Sequence, residues 1–161
     1  MDGFNVRLII GISGASGALF GRSFLENLAT HQKGHSALII TDAALKVYSQ
    51  EYQVTLPTRE KYLEQIQAKS NASQHTFSLF HPADYAAKPA SGSARYDAMV
   101  IVPCSMKTLA GIRHGLASSL LERAADVCLK EKRPLILVPR ETPLNEMQLE
   151  NMHALARAGV T

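Results

Sequence analysis

The sequence predicts an α/β domain of three layers, in which a parallel sheet is covered by helices on both faces. The first observation is the order of elements, because short β-type runs alternate with helical patterns along the chain. The second is the composition of those runs, which are apolar throughout, as in strands that are buried on both faces. A length of 161 residues suits one domain, so we expect a single domain over residues 1–161.

The first half of the chain contains two predicted strands and three predicted helices. The run Val6–Ile12 is apolar and ends beside glycines, which is typical of a buried strand followed by a turn. Asp42 is a candidate cap for the helix that follows the second strand. In chain order, the predictions are strand 6–12, turn 14–17, helix 18–30, strand 36–41, a helix through about residue 51 and helix 59–69.

The second half begins with a polar segment and then returns to the alternating pattern. The run DAMVIV at 97–102 is the most strand-like segment of the chain, and we expect Pro103 to end it. Gly159 suits a helix C-cap, and the β character of Val160 and Thr161 predicts one more strand after it. The predictions are loop 71–93 around a short strand at 77–80, strand 97–102, helices 105–112 and 116–130, strand 134–139 and helix 144–158.

Composition excludes several classes of protein. The formal net charge is only +3, there is no Trp, and no run of Lys and Arg interleaves with aromatic residues, so we expect no nucleic-acid binding. No window approaches the roughly 18 apolar residues of a membrane span. Cys104 and Cys128 form no CxxC pair, which favours a cytoplasmic protein without disulfides. The six histidines show no metal-ligand spacing, so we predict no metal site.

Polar residues and glycines follow four predicted strands, where an α/β sheet of this kind binds its ligands. These strand ends are 11–18, 41–42, 103–108 and 140–141. The first contains Gly11, Gly14 and Gly17, spaced GxxGxxG instead of the GxGxxG of dinucleotide-binding proteins. It is either a tight turn or a turn whose backbone approaches a ligand. An NAD site is disfavoured, because Asp42 is only roughly placed for the acid that such a site needs.

Other candidate residues each have a structural alternative. Ser105 either caps the helix after the third strand end or binds a ligand with its hydroxyl. Cys104 is better interpreted as a small buried hydrophobe than as a nucleophile. Arg123 and Lys130 lie seven residues apart on one helix face, which is either a solvated face or part of an anion site, and Asp126 could pair with either.

Six segments of the chain form a recognisable set. They are GISGASGA at 11–18, KPASGS at 88–93, PCSMKTLAGI at 103–112, ERAADVCLKEKRPL at 122–135, VPRETPL at 138–144 and LENMHALARAG at 149–159. Together, and in this order, they resemble the UbiX/Pad family of flavoproteins. The pair RAADVxLKExRPL and PRExPL is the most specific, and the match runs along essentially the whole chain.

The resemblance implies a Rossmann-like, flavodoxin-type domain that binds FMN between the subunits of a homo-oligomer, usually a dodecamer. It implies a flavin prenyltransferase, which joins a dimethylallyl group from dimethylallyl phosphate to reduced FMN. The prenylated FMN then serves a UbiD-type decarboxylase, often in ubiquinone biosynthesis. An FMN-dependent decarboxylase and a non-catalytic FMN carrier are the alternative functions.

The resemblance also implies roles for individual positions. Ser16 would lie near the reacting flavin nitrogen, Glu51 and Glu141 are acids near the reaction centre, and Lys130 joins them as a catalytic residue. Thr41 stands where the family usually has Ser. The implied FMN-binding residues are Gly14, Ala15, Ser16, Thr41, Ser105, Met106, Lys107, Thr108 and Arg140, and the implied residues of the dimethylallyl phosphate pocket are Ser91, Arg123, Lys130 and Arg140.

Two differences from related sequences affect these expectations. Lys107 replaces the Asn of the PASANT-like segment in related cysteine decarboxylases, which argues against decarboxylation of peptidyl cysteine. The family continues past the position of Thr161 into a strand with a Tyr and an Arg of the phosphate pocket. We expect a protein that ends at Thr161 to bind FMN but to prenylate it poorly, and we favour a longer natural protein.

Overall fold

The computed structural model describes residues 5–68 and 74–161 and contains a five-stranded sheet in which all strand pairs are parallel. The predicted fold class is confirmed, whereas the single-domain organisation stays a prediction. The strands are β1 (Val6–Ile12), β2 (Gly34–Ile40), β3 (His75–Phe80), β4 (Ala98–Cys104) and β5 (Leu135–Pro139). The helices are α1 (Ala18–His31), α2 (Asp42–Tyr52), α3 (Arg59–Gln67), α4 (Met106–Arg113), α5 (Leu120–Lys130) and α6 (Glu146–Arg157), with a short 3₁₀ turn at Lys88–Ala90.

The strand order β3-β2-β1-β4-β5 places the two halves of the chain on opposite sides of β1. The chain moves outward from β1 to β3 and then returns to build β4 on the other side of β1. Residues on both faces of β1 are buried: Ile9 packs in one hydrophobic cluster with α4 and α5, and Ile10 packs in another with α1, α2 and α3. The carboxyl ends of β1 and β4 therefore form the topological switch point, where such folds bind ligands.

Strand β4 extends two residues beyond its predicted end. Pro103 lies within the strand, although proline has no N–H to donate to a sheet ladder. The pairing of β4 with β5 shifts register between Ile101 and Cys104, and this irregularity accommodates the proline. The expectation that Pro103 ends the strand is wrong.

Helix α5 begins at Leu120, four residues after its predicted start. Gly115 and Ala117 have positive φ angles of 63° and 47°, which interrupt a right-handed helix, and the Ser119 side chain then caps α5 by accepting a hydrogen bond from the Glu122 N–H. At α2 the predicted cap Asp42 is the first helical residue instead, and Thr41 is the cap. The predicted helix end at residue 69 and the start of the predicted loop at 71–73 lie outside the described residues.

The helix C-cap expected after α6 is present, whereas the strand expected after it stays a prediction, because Val160 and Thr161 belong to no strand. Gly159 follows α6 with a φ of 89°, as predicted for a helix C-cap. Thr161 donates its N–H to the Leu135 carbonyl at 3.0 Å and accepts from the Leu137 N–H at 2.7 Å, so it pairs with the outer edge of β5. Within residues 5–68 and 74–161, no helix is long and apolar enough to cross a membrane.

Candidate functional site

The turn at 14–17 leaves the end of β1 and presents Ser16 to solvent. Gly17, the N-cap residue of α1, adopts a left-handed conformation with a φ of 88°. Gly14 packs against Ala43 of α2 so closely that a Cβ at position 14 would overlap the alanine side chain. The glycines thus serve both the tight turn and close helix packing, and Ser16 is the side chain that the turn exposes.

The start of α4 lies at the end of β4, next to this turn. Ser105 caps the helix by accepting a hydrogen bond from the Thr108 N–H at 3.3 Å, and its hydroxyl donates to the Thr108 hydroxyl at 3.0 Å. Met106 and Thr108 are buried, whereas Lys107 is exposed. The first turn of α4 contains no acidic residue, so its N–H groups and the Lys107 ammonium form a positive surface.

A buried serine, Ser13, joins the turn to the start of α4. Its side chain is 1% exposed, and its hydroxyl donates to the Pro103 carbonyl at 3.1 Å while accepting from the Ser105 N–H at 2.7 Å. Its own N–H donates to the same carbonyl at 3.2 Å. Ser13 was not among the site residues predicted from the sequence. The available signal was a hydroxyl residue directly after a buried strand, but its partners depend on β4 lying beside β1.

Two further predicted residues lie against the turn. The carboxylate of Glu51, at the end of α2, accepts hydrogen bonds from the N–H groups of Gly17 and Ala18 at 2.6 and 2.7 Å. Arg140 follows β5, donates its N–H to the Cys104 carbonyl at 3.2 Å and places its Cγ 3.9 Å from the position of a Cβ on Gly17. The structure therefore brings Ser16, Glu51 and Arg140 to one edge of the sheet.

Thr41 and Glu141 are at strand ends but have local partners. The Thr41 hydroxyl accepts from the Ala44 N–H at 3.1 Å, and its N–H donates to the Ile12 carbonyl at 3.0 Å. The exposed Glu141 carboxylate accepts from the N–H of Thr142 at 3.1 Å. Thr41 is thus tied to the end of β1, and Glu141 projects from the loop after β5.

The remaining predicted residues form a second group along α5, with Arg123 near the start of the helix and Ser91 and Lys130 at its carboxyl end. Arg133 donates to the Gly92 carbonyl, and a Cβ on Gly92 would meet the Glu131 carboxylate at 2.6 Å, so the segment containing Ser91 lies against this helix end. Lys130 pairs with Glu131 at 3.5 Å. Arg123, nearer the start of α5, pairs with Asp126 at 3.1 Å, so Asp126 belongs to Arg123 of its two possible partners.

The two cysteines are buried and are not activated as nucleophiles. Burial raises the pKa of the Cys104 thiol to about 12 and that of the Cys128 thiol to about 11, and Arg133 partly opposes the second shift. Among the residues that the structure describes, no three His, Cys, Asp or Glu side chains cluster as metal ligands.

A glycine turn and a capped helix start at the ends of adjacent strands define an α/β protein that binds a cofactor at its switch point. Flavoprotein sequences match residues 2–161, and UbiX flavin prenyltransferases match most of the chain. The chain belongs to the flavoprotein family and, within it, to the UbiX flavin prenyltransferase group.

Individual relatives support this assignment. The flavin prenyltransferase UbiX of Alkalihalophilus pseudofirmus is 46% identical over 96% of this chain and 75% of the relative, and that of Pseudomonas aeruginosa is 40% identical over 95% and 73%. The dodecameric FMN-dependent UbiX-like decarboxylase of Escherichia coli O157:H7 superimposes with a TM-score of 0.81 at 42% identity, covering 97% of this chain and 78% of its own.

A second solved structure is AnUbiX (PadA1) in complex with FMN and dimethylallyl pyrophosphate, with a TM-score of 0.81 at 36% identity, covering 98% of this chain and 76% of that one. The peptidyl-cysteine decarboxylase EpiD is 14% identical with a TM-score of 0.65, so it shares the fold alone.

Replacing Ser13 with Ala should destabilise the protein, because the Ser105 N–H and the Pro103 carbonyl lose a buried partner. We expect the free energy of unfolding to fall by about 1–3 kcal/mol in urea denaturation. Thr30→Ala, at an exposed site on α1, should change it by less than about 0.5 kcal/mol. Equal stability of Ser13→Ala and wild type would show that the three-way contact is not important.

The raised pKa values of the thiols predict that Cys104 and Cys128 stay unreactive in the folded protein at pH 8, because the thiolate is the reactive form. A colorimetric thiol reagent should titrate both residues only after guanidinium is added. Rapid modification of either thiol in the native protein at pH 8 would contradict the burial.

Proposed function

We propose that this protein is a flavin prenyltransferase that moves a dimethylallyl group from dimethylallyl phosphate to reduced FMN. The observation that carries the proposal is the Ser13 contact, which holds the exposed turn and the acid-free start of α4 side by side. The support from relatives is a UbiX at 46% identity and a related structure that contains FMN and dimethylallyl pyrophosphate.

The residues at the edge of the sheet fit FMN chemically. Backbone N–H groups, the hydroxyls of Ser16, Thr41 and Thr108, and the cations Lys107 and Arg140 are donors for a ring carbonyl and a phosphate. The Ser105 hydroxyl donates to that of Thr108 and so orients this donor. Gly14, Ala15 and Met106 complete the segments proposed to hold it. Reduced FMN, when bound, supplies the electron-rich ring that accepts the allyl group.

The second group of residues, along α5, contains the cations Arg123 and Lys130 and fits the departing phosphate. As the allylic C–O bond breaks, the phosphate leaves with the bonding electron pair, and fixed positive charges stabilise it. We propose that Arg123 and Lys130 supply these charges, together with Arg140 and the Ser91 hydroxyl. Arg123 and Lys130 have side chains that are 43% and 61% exposed, so they are accessible to a ligand from outside the chain.

Lys130 and the residues of the flavin group are far apart within a single chain. Lys130 lies five residues before the start of β5, near its amino end, whereas Arg140 directly follows the carboxyl end. The first and last Cα atoms of a five-residue strand are about 13 Å apart, because four rises of ~3.3 Å separate them. We therefore propose that one subunit supplies the flavin group and its neighbour the phosphate group, in a homo-oligomer such as the dodecamer of the Escherichia coli relative.

Glu51 and Glu141 are proposed to handle protons at the reacting flavin, with Ser16 beside the reacting flavin nitrogen. All three residues are exposed, and Glu51 lies against the turn that contains Ser16. The product is proposed to serve a UbiD-type decarboxylase, with ubiquinone biosynthesis as the expected setting. A cytoplasmic location suits the buried thiols of Cys104 and Cys128, which form no disulfide.

The test is to incubate the purified protein anaerobically with reduced FMN and dimethylallyl phosphate and to weigh the flavin by mass spectrometry. We expect a flavin heavier by one dimethylallyl group, less the hydrogen it replaces. Unchanged flavin that remains tightly bound would favour the FMN carrier, and release of CO₂ from an aryl acid without any partner protein would favour the decarboxylase.

Loss of the α5 cations should slow transfer without preventing flavin binding. Arg123→Ala and Lys130→Ala should each raise the barrier by about 2–4 kcal/mol, or roughly 30- to 1000-fold in single-turnover rate. FMN affinity should change little, and Lys61→Ala on α3 is the matched control. Wild-type rates in both variants would mean that α5 simply presents a solvated face.

A site between subunits predicts complementation. Ser16→Ala lacks the flavin-side hydroxyl and Lys130→Ala the phosphate-side cation, so each pure variant should be slow. If equal amounts are mixed, dissociated and reassembled, about one quarter of the sites combine two intact groups, one half times one half. Recovery near that fraction of wild-type activity is expected, whereas activity no higher than the mean of the two variants would place each site within one chain.

The cationic group also predicts a reaction that needs no divalent ion, since Arg and Lys supply the charge that a metal would otherwise provide. Transfer should proceed at the same rate after exhaustive treatment with EDTA. Loss of transfer that Mg²⁺ restores would overturn this expectation.

A further inference from the structure

The contact between Glu51 and α1 connects two helix ends. Its two carboxylate oxygens accept from the N–H groups of Gly17 and Ala18, which are 34 and 33 residues earlier in the chain. Gly17 has no side chain with which to cap α1, and no acidic residue lies in the first turn of that helix. Glu51 therefore supplies from α2 the acceptor that a capping residue normally provides.

The position of Glu51 in its own helix makes this contact informative. Glu51 is the last residue but one of α2, where the partial negative charge of the helix end disfavours a carboxylate. At the start of α1 the partial charge has the opposite sign and favours it. The stabilisation of the Glu51 carboxylate therefore comes from the start of α1. In return, the carboxylate attaches the turn at 14–17 to α2.

We propose that Glu51 is a positioning residue: its carboxylate fills the anion site at the start of α1 and so holds the turn that presents Ser16 to the flavin. The inference rests on the proposed flavin site. It follows that this glycine turn differs from the phosphate-binding turns of nucleotide-binding proteins, whose helix N-terminus is open to the ligand. The start of α1 orients the turn and does not bind the FMN phosphate.

The first experiment measures melting temperatures without flavin. Glu51→Ala should melt about 2–4 °C below wild type, as expected for the loss of one helix cap in a domain of this size. Phosphate at about 50 mM, compared with chloride at equal ionic strength, should restore at least half of the loss by filling the vacated N–H groups. Glu51→Gln, which keeps an acceptor but not the charge, should melt between the two.

Thr58→Ala is the matched control. The Thr58 side chain caps α3 by accepting from the Lys61 N–H, so this variant also loses one cap, but it leaves the turn intact. Its melting temperature should fall similarly, and phosphate should not restore it. Equal responses of Glu51→Ala and wild type to phosphate would overturn the proposal.

The second experiment measures affinity for oxidised FMN and riboflavin by fluorescence, at a temperature well below every melting point. If Glu51 positions the turn, Glu51→Ala should weaken both flavins by a similar factor, on the order of tenfold, as a loss of about 1.4 kcal/mol would. Thr58→Ala should bind both normally. FMN binding that strengthens relative to riboflavin in Glu51→Ala would show that the phosphate binds at α1, and unchanged affinity with loss of transfer alone would make Glu51 only a proton-transfer group.

Neither experiment uses a prenyl donor, so the result is independent of the reaction itself. A wild-type protein that binds FMN but transfers no prenyl group would overturn the proposed function and leave the role of Glu51 measurable. The melting experiment needs no flavin, and Glu51→Gln provides a second variant if Glu51→Ala does not fold.

Discussion

The site depends on a single buried contact between two strands that are 90 residues apart in sequence. Ser13 at the end of β1 bonds both to the Pro103 carbonyl in β4 and to the N–H of Ser105. A ligand that spans two loops needs them at a fixed separation, and the parallel pairing of β1 with β4 extends from Leu8 to Gly11. The Ser13 hydroxyl extends that pairing past the end of the ladder, in a setting where an unmet hydrogen bond is costly.

The helix starts on the two sides of this contact, those of α1 and α4, differ in their electrostatic potential. The start of α1 is neutralised by Glu51, whereas the start of α4 has no acid in its first turn and adds the ammonium of Lys107. Of these two helix starts, only that of α4 therefore keeps a positive potential. A cation in the first turn of a helix is unfavourable for the helix itself, by about 0.3–1 kcal/mol, so Lys107 reduces stability unless an anion binds beside it.

The sequence predicted the layers of the fold well, because they depend on local patterns. Apolar runs such as Val6–Ile12 and the spacing within α1 are readable without knowledge of neighbours. The errors occurred where tertiary contacts override a local sequence preference. Pro103 remains in β4 because the pairing with β5 shifts register there. Helix α5 starts later than predicted because Ala117 takes a left-handed conformation. The site was predictable as a set of segments that resemble a family, but the contacts of Ser13 and Glu51 required the strand order and the packing of α2.

The cations of the second group, Arg123 and Lys130, have only weak ion-pair partners within the chain. Arg123 pairs with Asp126 and Lys130 pairs with Glu131, and both ion pairs are partly exposed to solvent. Ion pairs of this kind contribute about 0–1 kcal/mol to stability. In the proposed assembly, a phosphate dianion bound beside these cations would compete with the local pairs, because its charge is larger and an interface that excludes water would strengthen the attraction. Under this proposal, the weak local pairs would not hold Arg123 and Lys130 so tightly that a ligand could not bind them. In the proposed assembly, the anion site would form only when two subunits meet, because each chain would supply one half of it.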